Sequence, residues 1–299
     1  KPLASVSLAN MIKPIIILLC FTSLIIGCGQ KENKNLVNAK NLIAEGKYQD
    51  AKKEIQLALS KEEKNPESLC LAEVLAVKDK KSATDWQATI EKVLRYIEPL
   101  NKDIKELEKL DKEVGLDDDE LERLETLIRQ RNSGIGFLAR SIDDANQKGE
   151  PWVQELMNSS PNSLVFAMLE AGKSFETSAR ESAGRIISKM GTLPSFGGAG
   201  GGIAIDPLIA ELKNPDADIR SQAVLFLGKL KTERAIAPIS ELLKNKSEDL
   251  PVIYNAVVAL EMIKGQEGKE ARGQEGKGAR EQDGRNSNPA ILPSSHLAS

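Results

Sequence analysis

The chain contains little of what most catalytic and metal-binding sites are built from. Only one of its 299 residues is a histidine, His296, and only three are cysteines. Zinc sites, haem ligation and Ser-His-Asp catalysis all depend on histidine, so this composition removes most such schemes. The sequence therefore predicts a protein that is not an enzyme, with no catalytic residue, no cofactor and no bound metal.

Strand-forming patterns are equally scarce. Aromatic residues make up 4% of the chain, and no stretch alternates apolar and polar residues for long. Apolar residues instead recur at spacings of three and four, as they do on one face of an amphipathic helix. The sequence predicts an all-α protein that contains a helical hairpin, a longer second hairpin and a short α-solenoid, in that order.

The charge balance is slightly acidic, with 41 lysines and arginines against 44 aspartates and glutamates. Sequence-independent binding of nucleic acid depends on basic side chains that neutralise phosphates, so the composition argues against a nucleic-acid partner. Cys70 lies in the apolar run 69–72, where a buried small side chain is the default role, and we expect no disulfide framework.

A short apolar run near the first residue has the layout of an export signal. Lys13 precedes the run, which extends from Ile15 to Ile26, and the chain becomes polar at Gln30. A cation, a short apolar segment and a small residue follow one another in this way in secretory signals. The run is shorter than the roughly 20 apolar residues that a membrane-spanning helix needs.

The run ends on the tetrad Ile25-Ile26-Gly27-Cys28, which resembles the lipobox of bacterial lipoproteins. The resemblance implies that residues 1–27 are a signal peptide with an upstream extension, and that Cys28 is acylated and becomes the first mature residue. Two or more acyl chains hold a protein stably on a bilayer, in this case in the cell envelope. Gly29 at the second position favours the outer membrane where a cell has two. A plain cleaved signal and an uncleaved anchor are the alternatives.

After a linker at 28–34, residues 35–78 carry two short helical stripes separated by a turn. Gly46, Tyr48 and Ala51 resemble the G-x-Y-x-x-A core of a tetratricopeptide repeat. In that family the glycine permits the turn, the tyrosine fills the space between the helices and the alanine lets them approach. The sequence contains one such unit, which predicts a hairpin and not a binding array.

Residues 85–148 are predicted to form a long amphipathic helical hairpin with a heptad seam on each helix. The seams are formed by Ile90, Val93, Ile97, Leu100, Ile104 and Leu107, and by Leu121, Leu124, Ile128, Ile135, Leu138 and Ile142. Pro99 should kink the first helix, and Gly115 should end it. The seams could close on each other or on a second chain.

The acidic run from Asp117 to Glu120 has two interpretations. A calcium loop would need acidic residues at alternating positions followed by glycine, a spacing that this run lacks. Carboxylates are also favoured at the N-terminus of a helix, where they interact with its dipole. We therefore predict a helix cap.

The best-defined module is 161–264, in which the chain repeats itself. Ala223 aligns with Ala256 and Leu227 with Leu260, each pair 33 residues apart. Each copy begins with a helix that carries proline in its first turn, where the missing N–H costs nothing. Two successive copies of a two-helix unit predict a stacked solenoid.

The copies resemble HEAT-like repeats of the bacterial phycobilisome-lyase type. The first copy matches well through the run 214–216, Asp218 and Arg220, whereas the second has Ile253 where arginine is usual. A weaker third copy aligns Ala179 with the helix of the first copy at an offset of 40. Three units are about the minimum for a continuous solenoid core.

Two low-complexity segments flank the strong copies. The run 197–202 holds five glycines in six residues, but no Lys-Ser/Thr follows it and no strand precedes it, so a flexible loop is predicted and not a phosphate cradle. Residues 265–299 begin with the near-identical octads 265–272 and 273–280. They offer too little apolar surface to offset chain entropy, which predicts a disordered tail.

Together these features predict a membrane-anchored lipoprotein that acts as a non-enzymatic protein–protein interaction scaffold through HEAT-like repeats. Its partner would be an unidentified envelope protein. Candidate contact residues on the inner helices of the repeats are Arg220, Gln222, Tyr254 and Asn255. Two alternatives stay open: an enzyme accessory subunit, as in lyases with HEAT-like repeats, and a purely structural envelope tether.

Overall fold

The computed structural model describes residues 33–193 and 202–265. Within these ranges the regular structure consists of twelve α-helices and one 3₁₀ turn, with no β-strand, and the all-α prediction is confirmed. The predicted lipidation site Cys28, most of the glycine run and the predicted tail beyond residue 265 lie outside the described residues.

The helices follow one another with short connections, and their bounds define the labels used below. They are α1 (Lys34–Ala44), α2 (Tyr48–Lys61), α3 (Pro66–Val77), α4 (Ala83–Glu113), α5 (Asp118–Gln147), α6 (Pro151–Ser159), α7 (Pro161–Gly172), α8 (Thr177–Thr192), α9 (Ile205–Glu211), α10 (Ala217–Leu230), α11 (Ile236–Leu242) and α12 (250–265). None of them combines the length and the apolarity that a membrane span requires.

Helices α1 and α2 form the first hairpin. The side chain of Asn33 caps α1 by accepting a hydrogen bond from the N–H of Asn35 at 3.1 Å. Gly46 has φ +75° in the connecting turn, a conformation that suits glycine. The apolar faces then meet, with Ala39 and Ala51 completely buried between the helices. The tetratricopeptide assignment of this hairpin stays a prediction.

The second hairpin pairs α4 with α5. All six residues predicted for the seam of α4 are buried. The helix continues through Pro99, which lies with Arg95 on the exposed face, and the kink expected there stays a prediction. Gly115 has φ +91° just after the helix, at the predicted end.

The N-terminus of α5 carries a capping box. Asp117 accepts from the N–H of Glu120 at 2.8 Å, and the Glu120 side chain accepts from the N–H of Asp117 at 3.1 Å. This is the helix cap predicted from the acidic run. In the first half of α5, however, the seam residue Leu121 is exposed, and Leu124 and Ile128 are only partly buried.

The second half of α5 is the central helix of the molecule and packs against α3, α4 and α8. Close approach depends on two glycines. A Cβ added at Gly134 would lie 2.6 Å from the Cβ of Cys70, and one at Gly136 would lie 3.2 Å from that of Ala179. The hairpin is therefore joined directly to the first helix pair of the solenoid.

A short helix that the sequence analysis did not identify, α6, lies between the hairpin and the solenoid. Its Trp152 stacks on Trp86 of α4 with ring centroids 4.9 Å apart, and the Trp86 indole N–H donates to the carbonyl of Lys80 at 3.2 Å. Both indoles are buried. The buried residues of the whole described chain form one continuous core, from Leu36 in α1 to Ile263 in α12.

Candidate protein-interaction surface

The repeats stack through the second helix of each pair, α8, α10 and α12. Positions that point to the preceding repeat can be recognised from their contacts. Gln222 lies against Gly172 of α7, and Phe226 lies against Gly184 of α8. One repeat later, the equivalent positions are Asn255 and Ala259, and both face α10.

Arg220 occupies a contact between repeats. Its guanidinium forms an ion pair with Glu248, which is nearly completely buried, and a second with Asp249 at 3.3 Å. It also donates to the carbonyls of Asn214 at 2.8 Å and Pro215 at 3.2 Å. The side chain therefore locks the turn before α10 to the turn before α12.

Asn255 also joins neighbouring repeats, because its amide donates to the hydroxyl of Ser221 at 2.7 Å. Of the four residues predicted to contact a partner, Arg220, Gln222 and Asn255 thus make contacts inside the chain. Among the four, only Tyr254 is mostly exposed, and the other three are half-buried. A role of any of the four in partner binding stays a prediction.

The opposite face of each second helix points to the following repeat. On α10 this forward face consists of Ala217, Ser221, Val224 and Gly228, of which all but Ala217 are buried. A Cβ added at Gly228 would lie 2.7 Å from Ala259 of α12. Small side chains therefore allow α12 to approach α10 closely.

On α12 the same forward positions fall at Leu250, Tyr254, Val257 and Glu261, by the offset of 33 residues. The three apolar side chains are exposed by 79%, 70% and 45%, respectively. We call these four residues the open stacking face. The repeat of α12 is the last one that the structure describes, and its outer face is not the polar one that terminal repeats of solenoids normally carry.

A groove of about 600 Å³ lies beside this face, between α4, the start of α10 and the start of α12. A buried charge network forms its floor. Lys173 lies between Glu170 at 2.9 Å and Asp216 at 3.2 Å, and Lys105 of α4 reaches Asp216 at 3.2 Å. These pairs hold the hairpin to the solenoid.

Asp216 stays ionised in this network. Burial works to raise its pKa, but Lys173 and Lys105 outweigh burial and hold the pKa below its ordinary value. Its second oxygen accepts from the N–H of Asp218 at 3.0 Å and caps α10. The groove wall also holds Glu108, whose pKa is raised by burial and by the nearby Asp218. The acids and bases here neutralise one another, so the groove does not favour a ligand of either charge.

Two further groups with chemical potential are structural. The Cys70 thiol is completely buried, and burial raises its pKa, which makes it a weak nucleophile. Lys78 lies over the rings of Tyr48 and Phe137 at 5.1 and 5.8 Å, and burial lowers its pKa. In the part of the chain that the structure describes, no group of three or more His, Cys, Asp or Glu side chains could hold a metal ion.

Comparison with known proteins supports the repeat assignment. Residues 205–271 match the family model of HEAT repeats, a range that includes the helix pairs α9–α10 and α11–α12. The chain therefore contains a HEAT-like repeat domain, and this part of the predicted resemblance is confirmed. The pair α7–α8 lies outside the matched residues. No curated protein matches the chain.

Sequence reasoning missed most of the polar contacts of this region. The ion pair of Arg220 joins residues 28 positions apart, and that of Lys105 with Asp216 joins different modules. No local pattern marks such pairs. The open stacking face could have been found, because the 33-residue offset places Tyr254 and Val257 at positions that are small or buried one repeat earlier.

Proposed function

We propose that the chain is a membrane-anchored lipoprotein that acts as a non-enzymatic protein–protein interaction scaffold through its HEAT-like repeats. The observation that carries the proposal is the open stacking face of α12. Its exposed apolar side chains lie at positions of α12 whose equivalents on α10 are covered by the next helix of the solenoid. A surface of this kind gains stability by excluding water when another protein covers it.

The anchor is supported by the sequence near Cys28. The tetrad Ile25-Ile26-Gly27-Cys28 has the lipobox pattern, and the described fold begins a few residues later, where Asn33 caps α1. A short link of this kind would hold the helices close to the bilayer. The scaffold would then meet partners in the cell envelope, with the outer membrane favoured by Gly29 where a cell has two membranes.

The anchor is tested by mass spectrometry of membrane fractions from cells that express the full chain. The expected result is an acylated peptide that begins at Cys28, and Cys28→Ala should abolish both the acylation and the cut before residue 28. A native chain that keeps its leader, or whose peptide beginning at Cys28 carries no acyl group, would contradict the lipid anchor.

The scaffold is tested by photo-crosslinking in intact cells, with p-benzoylphenylalanine in place of Tyr254. We expect a discrete covalent adduct with a protein partner. The matched control places the same probe at Phe175, an exposed aromatic residue that precedes α8 and lies off the open stacking face. If the two positions give the same adducts, or if neither gives any, the proposed interaction surface is wrong.

A further inference from the structure

We propose that the partner of the open stacking face is a second copy of this chain, paired with it about a two-fold axis through antiparallel α12 helices. The inference rests on the proposed function, because it names the partner of the same surface. Three observations carry it: the closed opposite end of the solenoid, the polar sequence beyond residue 265, and the self-complementary order of side chains along α12.

The first observation concerns the other end of the solenoid. A second copy could stack head to tail only if its first repeat offered a free backward face. That end is covered within the chain, because α8 packs against α5: Arg185 reaches Asp143 at 2.8 Å, and Arg140 forms an ion pair with Glu176. Head-to-tail stacking is therefore excluded. The stacking face that a second copy can still offer is its own α12.

The second observation concerns the residues that follow α12. A helix that covered Leu250, Tyr254 and Val257 would need its own apolar stripe at spacings of three and four. Residues 266–299 contain one apolar run, 290–292, and it lies between two prolines. This sequence provides no such stripe. The segment that follows α12 is therefore a poor candidate for the covering element.

The third observation is the order of the residues along α12. In an antiparallel pair centred between Tyr254 and Val257, each tyrosine ring lies on the valine of the other copy. Leu250 then lies beside the aliphatic part of Glu261, and the partly exposed Met262 lies opposite residue 249 of the second copy. Apolar side chains therefore meet at the centre, and the carboxylate of Glu261 stays at the solvent edge of the pair. This is the arrangement expected of an isologous interface.

The interface would be small, because α12 is 16 residues long and therefore only about 24 Å in length. Pairs of this size are usually weak and transient in dilute solution. Two copies anchored in one membrane would meet at a much higher effective concentration, which favours the pair without any new contact. The membrane-bound protein is therefore the proper form for the test.

The experiment uses cells that express two copies of the full chain, each with a different tag. One copy carries p-benzoylphenylalanine at Val257, which the pairing places on Tyr254 of the other copy. We expect a photo-adduct that contains both tags. Introducing Tyr254→Asp into the other copy should lower its yield at least about tenfold, as loss of a central interface tyrosine does. The matched control, Leu57→Asp at an exposed position of α2, should leave the yield unchanged.

The possible outcomes separate this inference from the proposed function. An adduct with both tags that is sensitive to Tyr254→Asp supports the two-fold pair. An adduct with a different protein alone overturns the pair but supports the scaffold. No adduct at Val257 overturns the pair and also counts against the scaffold. Because all the altered positions are exposed, unchanged far-UV circular dichroism of each purified variant will verify that it still folds.

Discussion

Helices α10 and α12 occupy the same place in successive repeats, yet their forward faces have opposite environments. Val224 and Gly228 of α10 are buried under α12, whereas Val257 and Glu261 at the same positions of α12 meet solvent. Ser221 and Gly228 are small and buried, whereas Tyr254 and Glu261 at the same positions one repeat later are large and exposed; Val224 and Val257 differ only in exposure. A small side chain is therefore found on a forward face where the following helix packs closely against it.

The largest change in the free energy of unfolding should come from a charged residue placed on the forward face of α10, compared with the same change on α12. Val224→Asp would bury a carboxylate without a partner and should cost about 4 kcal/mol or more of unfolding free energy. The matched Val257→Asp should change it by no more than about 0.5 kcal/mol in dilute solution. Urea unfolding followed by circular dichroism measures both. Equal losses would mean that the two faces are equally buried, and the comparison would fail.

Next in size is the loss of the ion pair that joins the two turns. Arg220→Met leaves the buried Glu248 carboxylate without its cation and should cost about 3 kcal/mol at neutral pH. The matched change at the equivalent position of α12, Ile253→Met, conserves apolar volume and should cost less than about 1.5 kcal/mol. A loss for Arg220→Met no larger than that for Ile253→Met would contradict the structural role of the arginine.

The same variant has a defined pH dependence. Burial works to raise the pKa of Glu248, but hydrogen bonds from Arg220 and from the N–H of Asp249 bring the pKa below its ordinary value of 4.5. A carboxylate with a lowered folded-state pKa stabilises the protein above its ordinary pKa, and the contribution is lost as the pH falls through the folded-state value. The stability difference between the native chain and Arg220→Met should therefore narrow as the pH falls below the ordinary pKa of glutamate. A difference that stays constant from neutral to acid pH would assign the effect to packing.

Two glycine-to-alanine substitutions test how closely the second helices of neighbouring repeats approach each other. Gly228→Ala would place a Cβ 2.7 Å from Ala259 and should cost about 2 kcal/mol. Gly184→Ala on α8 would place its Cβ 3.8 Å from Phe226, an ordinary contact. It should stabilise the chain by roughly 0.5 to 1 kcal/mol, since alanine is the better helix former. Thermal unfolding gives both signs, and a loss at both positions would refute the proposed difference in spacing.

The smallest effect should come from the hydrogen bond between Asn255 and Ser221. Asn255→Ala should cost about 1 kcal/mol, the usual net value of such a bond. A double-mutant cycle with Ser221→Ala isolates the pair, and we expect a coupling energy of about 0.5 to 1 kcal/mol. Additive losses would show that the amide does not join the two repeats.

Much of the fold follows from local patterns in the sequence. Helix periodicity predicts the class, the six seam residues of α4 are buried, and the acidic run forms the predicted cap at Asp117. The repeat alignment of Ala223 with Ala256 also agrees with the structure, since both side chains are completely buried. The helix class, the seam and the cap depend on neighbours within one or two turns of the same helix, and the repeat register depends on similarity between two segments, so the sequence alone reveals them.

What the sequence does not reveal is set by contacts between distant segments. Leu121 has the right spacing for the seam but is exposed, because burial depends on which helix lies opposite. Helix α6 is too short for a clear period, and its Trp152 is fixed by Trp86 in another helix. The candidate surface was predicted only through Tyr254. The roles of Arg220 and Asn255 inside the chain depend on partners 28 to 34 residues away.

The claim on which the account depends is that the open stacking face is covered when the protein is in its membrane. Cysteine labelling at Val257→Cys, which keeps Tyr254 and changes the side-chain volume little, tests this most directly. Cys70 is completely buried, and the chain without the added cysteine measures any background. The label rate in intact membranes is compared with the rate for the purified chain in dilute solution, and Phe175→Cys is the control. We expect slow labelling of residue 257 in membranes, fast labelling in dilute solution, and no such difference at residue 175. Equally fast labelling of residue 257 in both would contradict the claim.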